Sequence, residues 1–309
     1  MVIKKISISC FRCFSNLDLE FSELNNFFFG PNGSGKTSVL EALYFCSTGR
    51  SFKSSNKNLC IQNKQNSFQL KLETINRNRI KILKTINKSI YCEIDGQKAS
   101  SVDLFRTLPS TLLDSKIFSM FIDTPQYRRK ILDRCLMAAD KSYTKDFFSF
   151  HKALKQRNAA LKQNSKYGLD MWSEIFASSG SHLSKKREEL FQRTKKVFFS
   201  FSKHFSDKRV LDIINSLDIV FYKGWQKEHS LNKALQKSLD TDSRRQITSA
   251  GPHKADIKFL SNNEDIKYIL SRGEQKFLSI LWCLSMHKTL SDFYNSHPFL
   301  IIDDIHSEL

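Results

Sequence analysis

GPNGSGKT, residues Gly30 to Thr37, is the stretch of this chain whose residue types and spacing best suit chemistry. It fits G-x-x-x-x-G-K-[ST], in which a glycine-rich loop wraps phosphates with inward-pointing backbone N–H groups. Gly30, Gly33 and Gly35 allow the close turn, and Pro31, Asn32 and Ser34 complete the cradle. Lys36 is placed to reach a β- and a γ-phosphate, and the Thr37 hydroxyl to bind Mg²⁺. A second group stands near the other end. In PFLIIDDIHSEL an apolar run, Phe299 to Ile302, meets two adjacent carboxylates, Asp303 and Asp304. Asp303 would hold the same Mg²⁺ through water. Asp304 would polarise an attacking water as a general base. Lys36 and Asp304 would form the catalytic pair.

These groups need elements to hold them. Phe27 to Phe29 read as a strand leading into the loop, and Val39, Leu40, Leu43 and Tyr44 as one face of a helix leading out. FLIIDD is apolar enough for a central parallel strand. Residues 1–110 read mostly as strand: Ile3, Ile6 and Ile8 recur, Phe68, Leu70 and Leu72 alternate, and Asp95-Gly96 signals a hairpin. Residues 111–240 change character. Glycine is sparse, proline occurs only at Pro125, and Phe147, Phe150, Leu154 and Leu161 fall at helical spacing. A second helical stretch is expected from about Trp172 to Phe205, after a break at KYGLD, so the pair reads as a helical arm. The expected fold is α/β: a mixed sheet with flanking helices and an antiparallel side sheet, plus an inserted helical arm. Its three segments are 1–110 with the phosphate loop, 111–240 as arm and second lobe, and 241–309 as the rest of the head.

Composition narrows the partners. Lysine and arginine total 49 against 31 acids, a net charge of +18, which favours polyanions such as DNA. Basic residues recur along the arm, among them Lys152, Lys155, Arg157, Lys185, Lys186, Arg187, Lys195 and Lys196. For any single one, a solvated helix face is the better account. No apolar run approaches the roughly 18 residues of a membrane span. The start, MVIKKISISCFRCF, alternates instead of showing a signal peptide. Seven scattered cysteines, an odd number, suit reduced thiols and a cytoplasmic location. Cys10 and Cys13 lack a second pair at zinc spacing and read as small residues at a strand end.

A third string separates this chain from most phosphate-loop proteins. Leu270-Ser271-Arg272-Gly273-Glu274-Gln275 opens an apolar helix just upstream of the paired aspartates, and it resembles the ABC signature LSGGQ. Ser271, Arg272, Gly273 and Gln275 would form a second anion site at a helix N-terminus. In ABC proteins that site meets the γ-phosphate held by a second subunit. FRCF, the extension LEALYFCSTGRSF, TPQYRRKILD, LKQRNAALK, SAGPHKADIKF, LSRGEQK and LIIDDIHSEL follow one another in the order of a known family. Over essentially all 309 residues the chain resembles the RecF family of bacterial recombination and repair ATPases, relatives of the SMC proteins.

The resemblance implies an ABC-type head of two lobes and an ATP-dependent homodimer that binds single- and double-stranded DNA through its backbone. It implies RecR- and RecO-like mediators and the RecA recombinase as partners, a part in replication and the SOS response, and slow, DNA-stimulated ATP hydrolysis. Two departures stand out. Cys13 occupies a place where the family usually has Asn, and family members continue past SEL into a D-loop aspartate and further chain. Ser307 and Glu308 read as the start of that D-loop, so weakened hydrolysis is expected here. A nuclease-linked SMC-like ATPase, a transport ATPase and a non-catalytic scaffold stay open as other readings. The signature string argues against a small-molecule kinase.

Overall fold

A computed structural model describes residues 3–115, 121, 124–163, 165–295 and 297–304. The chain divides into two compact units: residues 1–115 with 295–309, and residues 116–294. Each has its own apolar core. The stretch 241–294, expected to rejoin the head, clusters instead with the helical unit. Its long apolar helix buries Leu278, Leu281, Trp282, Met286 and Leu290 in that unit's core, so packing and not chain order sets the boundary.

The first unit opens on β1 (Ile3–Phe11) and β2 (Phe14–Glu20). Then follow α1 (Lys36–Thr48), β3 (Ser67–Thr74), β4 (Arg79–Thr85), β5 (Tyr91–Ile94) and β6 (Gln97–Lys98). The six strands pair antiparallel in the order β2-β1-β3-β4-β5-β6, the side sheet that the alternating residues require. Ile6, Ile8, Phe68, Leu70, Leu72, Ile80 and Ile82 are buried in one core with Leu43 and Phe45 of α1. The hairpin at Asp95-Gly96 forms, with φ of 50° and 84° at the two turn residues. After α2 (Ser101–Thr107) comes β7 (Ser110–Leu113), tied to α1 by a buried Ser47–Ser110 hydroxyl pair at 2.8 Å.

The second unit holds α3 (Pro125–Ala139) and a helical hairpin, α4 (Lys141–Lys162) and α5 (Lys166–Ser200). Next come α6 (Lys208–Ser216), β8 (Leu217–Tyr222), α7 (Leu231–Arg245), β9 (Asp256–Ser261) and β10 (Glu264–Asp265). The short α8 (Ile266–Ile269) leads to α9 (Arg272–Tyr294). The arm therefore exists, but its first helix ends at Lys162 and its second begins at Lys166, so KYGLD lies inside α5 and is not the break. A single glycine costs a helix only about 1 kcal/mol, which the packing of a 35-residue helix offsets. Phe150, Phe176, Leu183, Leu190, Phe191 and Trp282 form the core of this unit. Among the described residues no helix is long and apolar enough to cross a membrane.

Buried polar networks pin the arm. Arg157 reaches Asp242 and Thr248 at 2.9 and 2.6 Å. Arg187 holds Asp133 through Nε and Nη2, at 2.7 and 2.9 Å, and donates to the Pro252 carbonyl at 2.7 Å. His253 lies beside the Phe150 and Phe176 rings, with Nε2 2.9 Å from the Thr248 carbonyl and Nδ1 buried without a partner. Burial pushes its imidazole down from 6.5 to about 4, against a smaller upward pull from the Thr248 bond. Between these two values the unfolded chain binds a proton that the folded chain refuses. Stability is therefore full above pH 6.5 and falls as pH drops toward 4, by roughly 3 kcal/mol from this group. Urea midpoints measured across that range should drop more steeply for the parent than for His253→Gln; parallel curves would refute this.

The chain returns to the first unit as β11 (Phe299–Ile302), parallel to β7 in the register Phe299↔Ser110 to Ile302↔Leu113. Its expected central place is not observed. Among the described residues it pairs only with β7, and Ile301 alone is fully buried; Leu300 and Ile302 are 38% and 52% exposed. Phe27 to Phe29 form no strand, and Phe27 and Phe29 are 83% and 93% exposed. A strand needs a hydrogen-bonded neighbour, and no described strand pairs with these residues.

Candidate nucleotide site and signature helix

The phosphate loop ends where α1 begins. Gly35 precedes the helix at φ 96°, no side chain caps it, and its first turn carries no acid. The free N–H groups and the positive helix end are thus left for an outside anion. Gly35 also has no room for a side chain: a Cβ there would lie 2.4 Å from Phe14 Cζ and 2.8 Å from Cys13 Sγ. Cys13, the departure from the family pattern, thus forms part of the loop's wall, with Sγ 4.0 Å from Ser38 Oγ. Lys36 Nζ donates to the Gly30 and Pro31 carbonyls at 2.8 and 3.0 Å, so the cation is held over its own loop. Pro31, Asn32, Gly33 and Ser34 are exposed.

Asp303 meets this loop across 266 residues of chain. Thr37 Oγ1 donates to Asp303 Oδ1 at 3.0 Å. The strand end that delivers Asp303 is fixed by its own N–H on the Leu113 carbonyl at 2.9 Å. Burial raises the Asp303 carboxyl above the usual range, and the Thr37 bond and Lys53 pull it back. Asp304 follows, exposed, at φ 49°. Ser307 and Glu308 lie outside the described residues.

Behind α1 is a network that sequence reasoning did not assign. Arg12, at the tip of the β1–β2 hairpin with φ 54°, grips the fully buried Glu41 with both Nε (2.8 Å) and Nη2 (2.6 Å). Glu41 also accepts from Ser51. A charged residue in the middle of an otherwise apolar helix face was the available signal. The pair fixes the β1–β2 turn, and with it Cys13 and Phe14, against the helix that presents Lys36 and Thr37.

The signature string belongs to the second unit. Ser271, Arg272 and Gly273 are exposed at the head of α9, as an anion site requires. Gln275, expected beside them, is turned inward: its amide donates to the Lys267 and Leu270 carbonyls at 3.2 and 2.8 Å. It braces the α8–α9 turn.

A phosphate loop with a bare helix end, a strand-end aspartate on its threonine, and a signature helix in a separate helical unit define a P-loop ATPase head of the ABC type. The RecF/RecN/SMC N-terminal domain model matches residues 2–309, and the chain belongs to that family. The DNA replication and repair protein RecF of Pseudoalteromonas translucida (strain TAC 125) is 32% identical over 100% of this chain and 85% of its own. RecF of Francisella tularensis subsp. tularensis (strain WY96-3418) is 32% identical over 100% and 88%. A solved structure of the recombination mediator RecF with ATP, from the RecFOR pathway, superposes with a TM-score of 0.87 at 26% identity, covering 100% of this chain and 86% of that one. An SMC head from Pyrococcus furiosus shares the fold at 12% identity and a TM-score of 0.51.

Proposed function

We propose that this chain is an ATP-dependent DNA clamp subunit of recombinational repair and replication. The Thr37–Asp303 contact at the head of the uncapped helix carries this reading. Two hard oxygen donors, a hydroxyl and a carboxylate, suit Mg²⁺, which would supply charge neutralisation between phosphates. The loop amides and Lys36 would bind the phosphates of ATP, and Asp304 would accept the proton of the attacking water in slow, DNA-stimulated hydrolysis. Ser271, with the N–H groups at the head of α9, would engage the γ-phosphate held by a second copy, so that ATP closes a homodimer.

Charge favours DNA as the cargo. The second unit holds 33 lysines and arginines against 19 acids, the first 16 against 12. A diffuse excess of this kind neutralises phosphates and reads no bases. RecR- and RecO-like mediators, RecA loading, SOS induction and a cytoplasmic location follow from the family resemblance. Sedimentation with and without Mg-ATP tests the core of the reading. The parent chain should pass from monomer to dimer on adding ATP, and Lys36→Ala should stay monomeric. A parent that stays monomeric at saturating ATP would refute the clamp.

A further inference from the structure

Ser271 is not free to meet a phosphate. Its N–H and its hydroxyl both donate to Glu274 Oε2, at 2.8 and 2.7 Å, and the Glu274 N–H lies 3.4 Å from Ser271 Oγ. The other carboxylate oxygen, Oε1, accepts from Arg209 of α6 through Nη2 at 2.9 Å and Nε at 3.2 Å. Glu274 is thus an anion already seated on the very donors that the signature would offer to an incoming one. Helix capping accounts for the Ser271 contacts. It does not account for a guanidinium, itself 77% exposed, brought from 65 residues away to the outer oxygen of the same carboxylate.

We propose that Glu274 is a built-in competitor of the γ-phosphate, and that Arg209 is the latch that receives its carboxylate when a phosphate displaces it. The inference rests on the reading of Ser271 as the donor to a second copy's ATP. Without nucleotide, Glu274 satisfies Ser271 and keeps the site closed to stray anions. A phosphate arriving on a partner's loop takes both Ser271 donors, and Glu274 turns to Arg209 instead of being left unpaired beside another negative charge. Dimerisation is thereby set to need a full triphosphate and to remain reversible.

The test is the protein concentration at half-dimerisation in saturating Mg-ATP, for the parent, Glu274→Gln and Arg209→Ala. ATP binding to each monomer and thermal melting serve as controls. Glu274→Gln keeps the size of the cap but removes the charge, and it should dimerise about tenfold more tightly with unchanged monomer affinity for ATP. Arg209→Ala, at an exposed position of α6, should dimerise several-fold more weakly. A merely structural cap would make Glu274→Gln weaker, not tighter. A weaker Glu274→Gln, or a midpoint that neither substitution moves, overturns the proposal while leaving the clamp reading intact. A parent that does not dimerise with ATP fails the clamp reading itself.

Discussion

Replacing Lys36 with alanine should lower ATP affinity by about 100-fold, the equivalent of roughly 3 kcal/mol from two charge-assisted hydrogen bonds. The ammonium is already seated on the loop. Lys36 Nζ bridges the Gly30 and Pro31 carbonyls, so the loop is closed around its cation before any ligand arrives. A phosphate then meets a preset charge and little ordering is left to do. Alanine removes both the charge and the bridge. Lysine is one of several contributors, so measurable binding through the loop amides should persist at millimolar nucleotide. Titration calorimetry with a non-hydrolysable ATP analogue gives the affinity directly, and a melting curve shows that the fold survives. Affinity within threefold of the parent would remove Lys36 from the site.

Asp133→Ala should destabilise the helical unit by roughly 4 kcal/mol, because it strands a buried guanidinium. Asp133 is 8% exposed and Arg187 is 2% exposed. The carboxylate holds two guanidinium nitrogens and also accepts from the Tyr143 hydroxyl. Arg187 also donates to the Pro252 carbonyl at 2.7 Å and, through Nε, to the Tyr143 hydroxyl at 3.2 Å. One carboxylate thus ties α3, α4, α5 and the turn before β9. Asp133→Asn keeps a polar group of similar shape and should recover part of the loss. The expected signature is an early transition assigned to the helical unit, about 10 °C below the parent, with ATP binding at low temperature retained through the first unit. A single unshifted transition would contradict the assignment of Asp133 as the keystone.

The phosphate loop was legible because its backbone geometry demands particular residue types at fixed spacing. Gly35 shows why: its φ of 96° and the Phe14 ring and Cys13 sulfur packed against it disfavour any side chain. Strand alternation likewise revealed β1 and β3, whose inward residues share one buried face. What the sequence hid were relations across distance. Phe27 to Phe29 have the composition of a strand, but a strand is made by its neighbour, and composition carries no pairing information. KYGLD looks like a break, yet the packing of α5 carries the helix through Gly168. Gln275 fits the signature string, but only the α8–α9 turn decides that its amide points inward. The Ser271–Glu274 box could have been read from its three-residue spacing. Arg209 could not, since only the tertiary fold brings it to Glu274.

Duplex DNA binding followed by fluorescence anisotropy, with and without Mg-ATP across a series of salt concentrations, tests the central claim most directly. Binding should be tight only with ATP and should be lost in Lys36→Ala. The log–log salt slope should be about −0.9 for each phosphate contacted. Equal affinity with and without nucleotide, in both parent and Lys36→Ala, would contradict the claim.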